Sequence, residues 1–108
     1  DFLAAVPAGG DLYLLKRVLV DRTDDEARTL FTNIRRAMAP QGRVLVADPD
    51  SRSPFGKLYD MLMLMVFGSR VRTDAEVQAL FAQAGFTLAR AIETRSSTTL
   101  RLLEGVPA

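Results

Sequence analysis

A chain of 108 residues is enough for one small domain with a thin core, in which folding buries about 65% of the unfolded surface. Its 14 basic and 13 acidic side chains leave a net charge of +1, which gives no electrostatic ground for binding nucleic acid or an anionic membrane. With neither cysteine nor histidine, disulfides, thiol catalysis and any ordinary zinc site are excluded, so an acid or base has to be Asp, Glu, Lys, Arg or Tyr.

Gly9-Gly10 forms a turn, and residues 11–20, DLYLLKRVLV, read as a strand apolar on both faces apart from Lys16 and Arg17. Thr23-Asp24-Asp25-Glu26 is a capping box, because the Thr23 hydroxyl and the Glu26 carboxylate can each satisfy an orphan backbone donor. The helix it opens buries Ala27, Leu30, Phe31, Ile34, Ala37 and Met38 and shows Arg28, Asn33, Arg35 and Arg36 to water. Pro40-Gln41-Gly42 ends that helix, and residues 43–48, RVLVAD, form a second buried strand. Strand, helix and strand with links this short define a βαβ unit with parallel strands.

After a loop over residues 49–54, FGKLYDMLMLMVF at residues 55–67 is helical and apolar nearly all round. Such a helix needs a cover on every face. Thr73-Asp74-Ala75-Glu76 is a second capping box, before a helix with Val77, Leu80, Phe81 and Ala84 inward and Gly85 as its C-cap. Residues 86–94 and 98–106 form two strands joined through Arg95-Ser96-Ser97, hence antiparallel. The fold class is α/β, a parallel sheet closed by a terminal antiparallel hairpin, with its first strand at an open apolar edge. The longest apolar run is broken by Asp60 and falls short of the ~20 residues of a membrane span, and the N-terminus has no signal-peptide pattern. A cytoplasmic protein without membrane partners is expected.

The segments DFLAAVP, DLYLLKRVLVD, DDEAR, RRAMAPQGRVLVAD, R-x-R-T-x-x-E and AGF carry a resemblance. In that order they resemble the C-terminal half of the S-adenosylmethionine-dependent small-molecule O-methyltransferases. That family includes the plant phenolic enzymes and the bacterial enzymes of polyketide and hydroxyneurosporene metabolism. The resemblance covers essentially all of residues 1–108 and implies a partial catalytic domain, the C-terminal part of a Rossmann-like class I methyltransferase sheet. The N-terminal dimerisation domain and the glycine-rich cofactor loop would lie upstream, in keeping with a start at Asp1 rather than methionine.

The resemblance also implies roles. What remains of the family's cofactor site would be Asp1 and Phe2, at the position that contacts the adenine of S-adenosylmethionine, and Lys16, at the end of the fourth strand of the family's sheet. That strand commonly continues into His-Asp, whose histidine deprotonates the acceptor hydroxyl; here Val20 takes the histidine position and Asp21 keeps the aspartate. Asp48 matches the first of two acidic residues flanking the base in plant members, while Val71 replaces the second. Asp21 and Asp48 are therefore the candidate catalytic residues, and Tyr59, Leu62 and Met63 would face the acceptor. The implied cofactor is S-adenosylmethionine, the partners a hydroxylated small molecule and a second copy of the protein, and no metal is expected. An alternative is a non-catalytic methyltransferase-like module that binds a metabolite or a partner subunit.

Read without the resemblance, Lys16 is a charge extending from a strand end. Asp21 adds negative charge at a helix N-terminus, and the methionines at 61, 63 and 65 fill core space.

Overall fold

The computed structural model describes residues 6–49, 54–67, 72–93 and 100–108. Strand β1 (Leu12–Lys16) leads through a 3-10 turn (Leu19–Asp21) to helix α1 (Asp24–Ala37) and strand β2 (Arg43–Pro49). Helices α2 (Pro54–Phe67) and α3 (Asp74–Gln83) follow, then strands β3 (Phe86–Glu93) and β4 (Leu100–Pro107). The sheet order is β1-β2-β4-β3, with β1 parallel to β2 and β4 antiparallel to both its neighbours. The last strand thus enters between β2 and β3, and β1 forms one edge. The Arg95-Ser96-Ser97 turn lies outside the described residues.

Both capping boxes form. Thr23 Oγ1 accepts from the Glu26 amide at 3.2 Å while the Glu26 carboxylate accepts from the Thr23 amide at 3.1 Å, and Thr73 with Glu76 repeats the arrangement. These bonds hold the Glu26 carboxyl below its usual pKa, the Thr23 amide contributing most. Gly85, at φ 87°, turns the chain from α3 into β3 in a conformation that favours glycine.

Helices α1 and α3 lie side by side on one face of the sheet. Ala27, Leu30, Phe31 and Ile34 from α1 meet Val77, Leu80 and Phe81 from α3 over Val44, Val46, Phe86 and Leu103. Phe31, Phe81 and Phe86 form an aromatic triad with centroids 4.8 to 6.3 Å apart, arrangements that add about 0.5–1.5 kcal/mol per pair beyond burial. Of the α1 residues expected at the surface, Arg28 reaches Asp25 and Gln83, and Arg35 donates to the Gly85 carbonyl at 3.3 Å.

Two expectations need correction. The first strand does not run to Val20, because Arg17 adopts φ 57° immediately after Lys16 and the chain coils into the 3-10 turn. Nor is β1 covered on both faces: Tyr13 and Leu15 pack against the core, whereas Leu12 and Leu14 are more than half exposed among the described residues. No described helix is long and apolar enough to cross a membrane.

Candidate active site

Parallel strands direct their C-terminal ends to the same rim of the sheet, where open α/β folds bind ligands. At this rim Lys16 ends β1 opposite Ala47, and Asp48 follows one residue later on β2. The alternation of side chains then separates the two. Lys16 shares a face with Leu12 and Leu14, away from α1 and α3, while Asp48 shares a face with Val44 and Val46, toward those helices. The lysine and the aspartate therefore belong to opposite sides of the sheet.

Lys16 is exposed and makes no hydrogen bond or ion pair among the described residues, so its ammonium is free to meet a polar ligand group. Val20 is 1% exposed yet lies outside the main core cluster, at the turn against which α2 rests. Asp21 closes the same turn. Asp48 lines a cleft with Arg72, Asp74 and Arg101, floored by Val46, Val77 and Leu103. The cleft encloses about 10 Å³, room for a single water. It is too small for an acceptor.

Two arginines organise this cleft. Arg101, opposite Asp48 on β4, grips both carboxylate oxygens of Asp74 at 2.8 and 2.9 Å, tying the central strand to the first turn of α3. Arg72 reaches across the cleft to the turn, donating to the Leu19 and Arg22 carbonyls at 2.7 Å each and to Asp24 Oδ1 at 3.0 Å. Neither arginine was assigned a role from the sequence, although Arg72 opens the R-T-x-x-E motif. A signal of that kind marks a position but does not say what the side chain holds.

Helix α2 leaves β2 and lies against the 3-10 turn. Tyr59, Leu62 and Met63 fall at i, i+3 and i+4 along it, one face of a helix. The Leu62 side chain is exposed, as are Leu58, Met61, Leu64, Met65 and Val66. Asp1, Phe2 and Val71 lie outside the described residues.

A mixed sheet of parallel strands ending in an antiparallel hairpin, with its polar groups at the C-terminal strand rim, has the architecture of the class I methyltransferases. Residues 1–87 match the O-methyltransferase domain family, and the chain belongs to that family. It is 38% identical over 104 residues to the phenazine O-methyltransferase PhzM of Lysobacter antibioticus, an alignment covering 93% of this chain and 30% of that protein. It is 39% identical over 106 residues to the aclacinomycin 10-hydroxylase RdmB of Streptomyces purpurascens, covering 93% of this chain and 28% of that protein. Among solved structures, CalO1, a methyltransferase of calicheamicin biosynthesis in its S-adenosylhomocysteine-bound form, superposes with a TM-score of 0.90 at 38% identity. That match covers all of this chain and 33% of CalO1. The chain thus spans about a third of the length of the relatives it matches.

Proposed function

We propose that this chain is the C-terminal part of an S-adenosylmethionine-dependent O-methyltransferase that methylates a hydroxylated small metabolite by in-line displacement. The observation that carries this reading is the match of residues 1–87 to an O-methyltransferase domain. The bare row of Leu12 and Leu14 and the apolar side chains of α2 support a larger parent, whose remaining parts would cover them.

S-adenosylmethionine, when bound, supplies an electrophilic methyl group on a sulfonium. Lys16 would help hold it, since its unpaired ammonium stands at the C-terminal rim on the side left open by α1 and α3. Asp1 and Phe2 would contribute from the adenine side. Asp21 would orient or deprotonate the acceptor hydroxyl, with Tyr59, Leu62 and Met63 lining its pocket; Asp48, given the same role by the resemblance, faces the α1–α3 side in a cleft that holds a single water and would act only through that water. The protein would work as a homo-oligomer.

Val20, which the resemblance puts at the position of the family's base, cannot take a proton, and its side chain is buried. General-base help accounts for about 10² to 10⁴-fold of rate, about 3 to 5.5 kcal/mol, whereas alignment of the reacting atoms supplies about 7–11 kcal/mol. Positioning is the larger contribution, so an acidic phenol that ionises unaided remains a competent acceptor.

The identity to RdmB, named as a hydroxylase rather than a methyltransferase, favours a second reading in which the pocket serves another reaction or binds its metabolite without methylating it. Methyl transfer to a panel of phenols by the intact protein, compared with the Val20→His and Val71→Glu double variant, separates the two. The first reading expects the double variant to be faster by up to ~10²-fold. No transfer by either protein supports the second. The intact mass from the native host gives an independent check, with about three times the 11.9 kDa of this chain expected.

A further inference from the structure

We propose that Arg72 is a positioning residue: its buried guanidinium holds the turn that carries Val20 and Asp21 at a fixed place over the C-terminal ends of β1 and β2. This assignment rests on the methyltransferase reading for its catalytic consequence, but its geometry stands independently. The Arg72 side chain is only 7% exposed, and its Nη1, Nη2 and Nε donate to Leu19 O, Arg22 O and Asp24 Oδ1. The first two acceptors bracket Val20 and Asp21, and the third is the first residue of α1.

Arg72 also stands beside Thr73, the N-cap of α3, and Asp74 of that helix is clamped by Arg101 from β4. Two charge-assisted clamps, Arg101 on Asp74 and Arg72 on the turn, are thus joined through the backbone of residues 72–74 and link the inner strand β4 to the turn by way of the head of α3. A buried cation whose three nitrogens each donate to groups of another segment fixes that segment in distance and in angle. Lysine does not reproduce the effect, because a compact ammonium lacks the planar fork that meets three separated acceptors. Asp24→Asn removes one charge and leaves both carbonyl bonds, so it should act more weakly than any change at Arg72.

The test uses Arg72→Lys, Arg72→Met and Asp24→Asn in the intact protein. Amide hydrogen exchange should show protection over residues 19–24 falling by about 10-fold more than protection over β2 and β4 in the Arg72 variants. For methyl transfer, kcat should fall by about 10- to 10²-fold, the scale of a misplacement near 1 Å. Affinity for S-adenosylhomocysteine should stay within about 3-fold, a split that general destabilisation does not produce. Unchanged exchange at residues 19–24, or a uniform loss across the sheet, overturns the assignment, as does an unaltered kcat. If the wild-type protein transfers no methyl group, the methyltransferase reading fails while the exchange pattern still decides the role of Arg72. If Arg72→Met does not fold, the Arg72→Lys and Asp24→Asn pair carries the same comparison.

Discussion

The two faces of the sheet solve the same problem with different chemistry. On one, α1 and α3 bury Val44, Val46, Phe86 and Leu103, with Phe31 and Phe81 of the helices packed against the Phe86 ring. On the other, no described helix covers the strands, and Leu12, Leu14 and Ile92 meet solvent. Yet Glu104, on that open face, is only 7% exposed, because Arg43 and Arg90 lie over it from the neighbouring strands at 3.4 and 2.7 Å. The register shift between Leu88 and Arg90 makes this possible, since a bulge turns Arg90 to the side opposite Leu88. The covered face is held by this chain's own helices, and the open face keeps only its centre closed, by charge.

If that contrast is right, substitutions on the covered face should be the more damaging. Phe81→Ala removes a fully buried ring from the triad and should cost about 3–5 kcal/mol, read by urea denaturation; a loss under 1 kcal/mol, well below the expected ~3–5 kcal/mol, would break the comparison at once. Gly105→Ala comes next. A Cβ there would stand 2.9 Å from Val44 Cγ1 and 3.0 Å from Phe81 Cζ. Overpacking of a sheet-helix seam costs about 1–3 kcal/mol, visible as a lower melting temperature.

Glu104→Gln tests the open face. Both guanidiniums are more than half exposed, so the loss should be about 1 kcal/mol rather than the ~3–5 kcal/mol of a fully buried pair. Hydrogen bonds from Arg90 chiefly hold the Glu104 carboxyl below its usual pKa, against the opposing effect of burial, and the charges of Arg90 and Arg43 assist. The stability it contributes is therefore present above about pH 4.5 and lost as pH falls through its lowered folded pKa. Denaturation midpoints of wild type and Glu104→Gln should converge in acid; a gap that persists there would remove the ionic explanation.

The smallest effect on stability belongs to Leu14→Lys, within about 0.5 kcal/mol because the side chain is already in water. Its effect on association should be the larger one. In sedimentation at high concentration the 108-residue chain should self-associate through the β1 edge, and the lysine should disperse it. A wild-type chain that stays monomeric would show that the apolar edge is harmless as it stands.

Local chemistry by itself determined much of the fold. Both capping boxes and the inward residues of α1 and α3 were legible, since caps and helical periodicity act within a few residues of sequence. The α/β class followed from their order, and so did the antiparallel hairpin. The family was legible in an ordered set of short motifs. Only the tertiary structure decided where β1 stops, because Val18, Leu19 and Val20 continue the apolar run while Arg17 turns left-handed against β2, its amide bonded to the Ala47 carbonyl at 2.8 Å. Only the tertiary structure set β4 between β2 and β3, a choice among strand edges that no local pattern encodes. The candidate site divides the same way. Lys16 and Asp48 could be placed at strand ends from sequence, but the register that sends them to opposite faces is a pairing between strands. The clasp of Arg72 on the turn joins groups about 50 residues apart, and long-range partners of that kind leave no periodic trace in the chain.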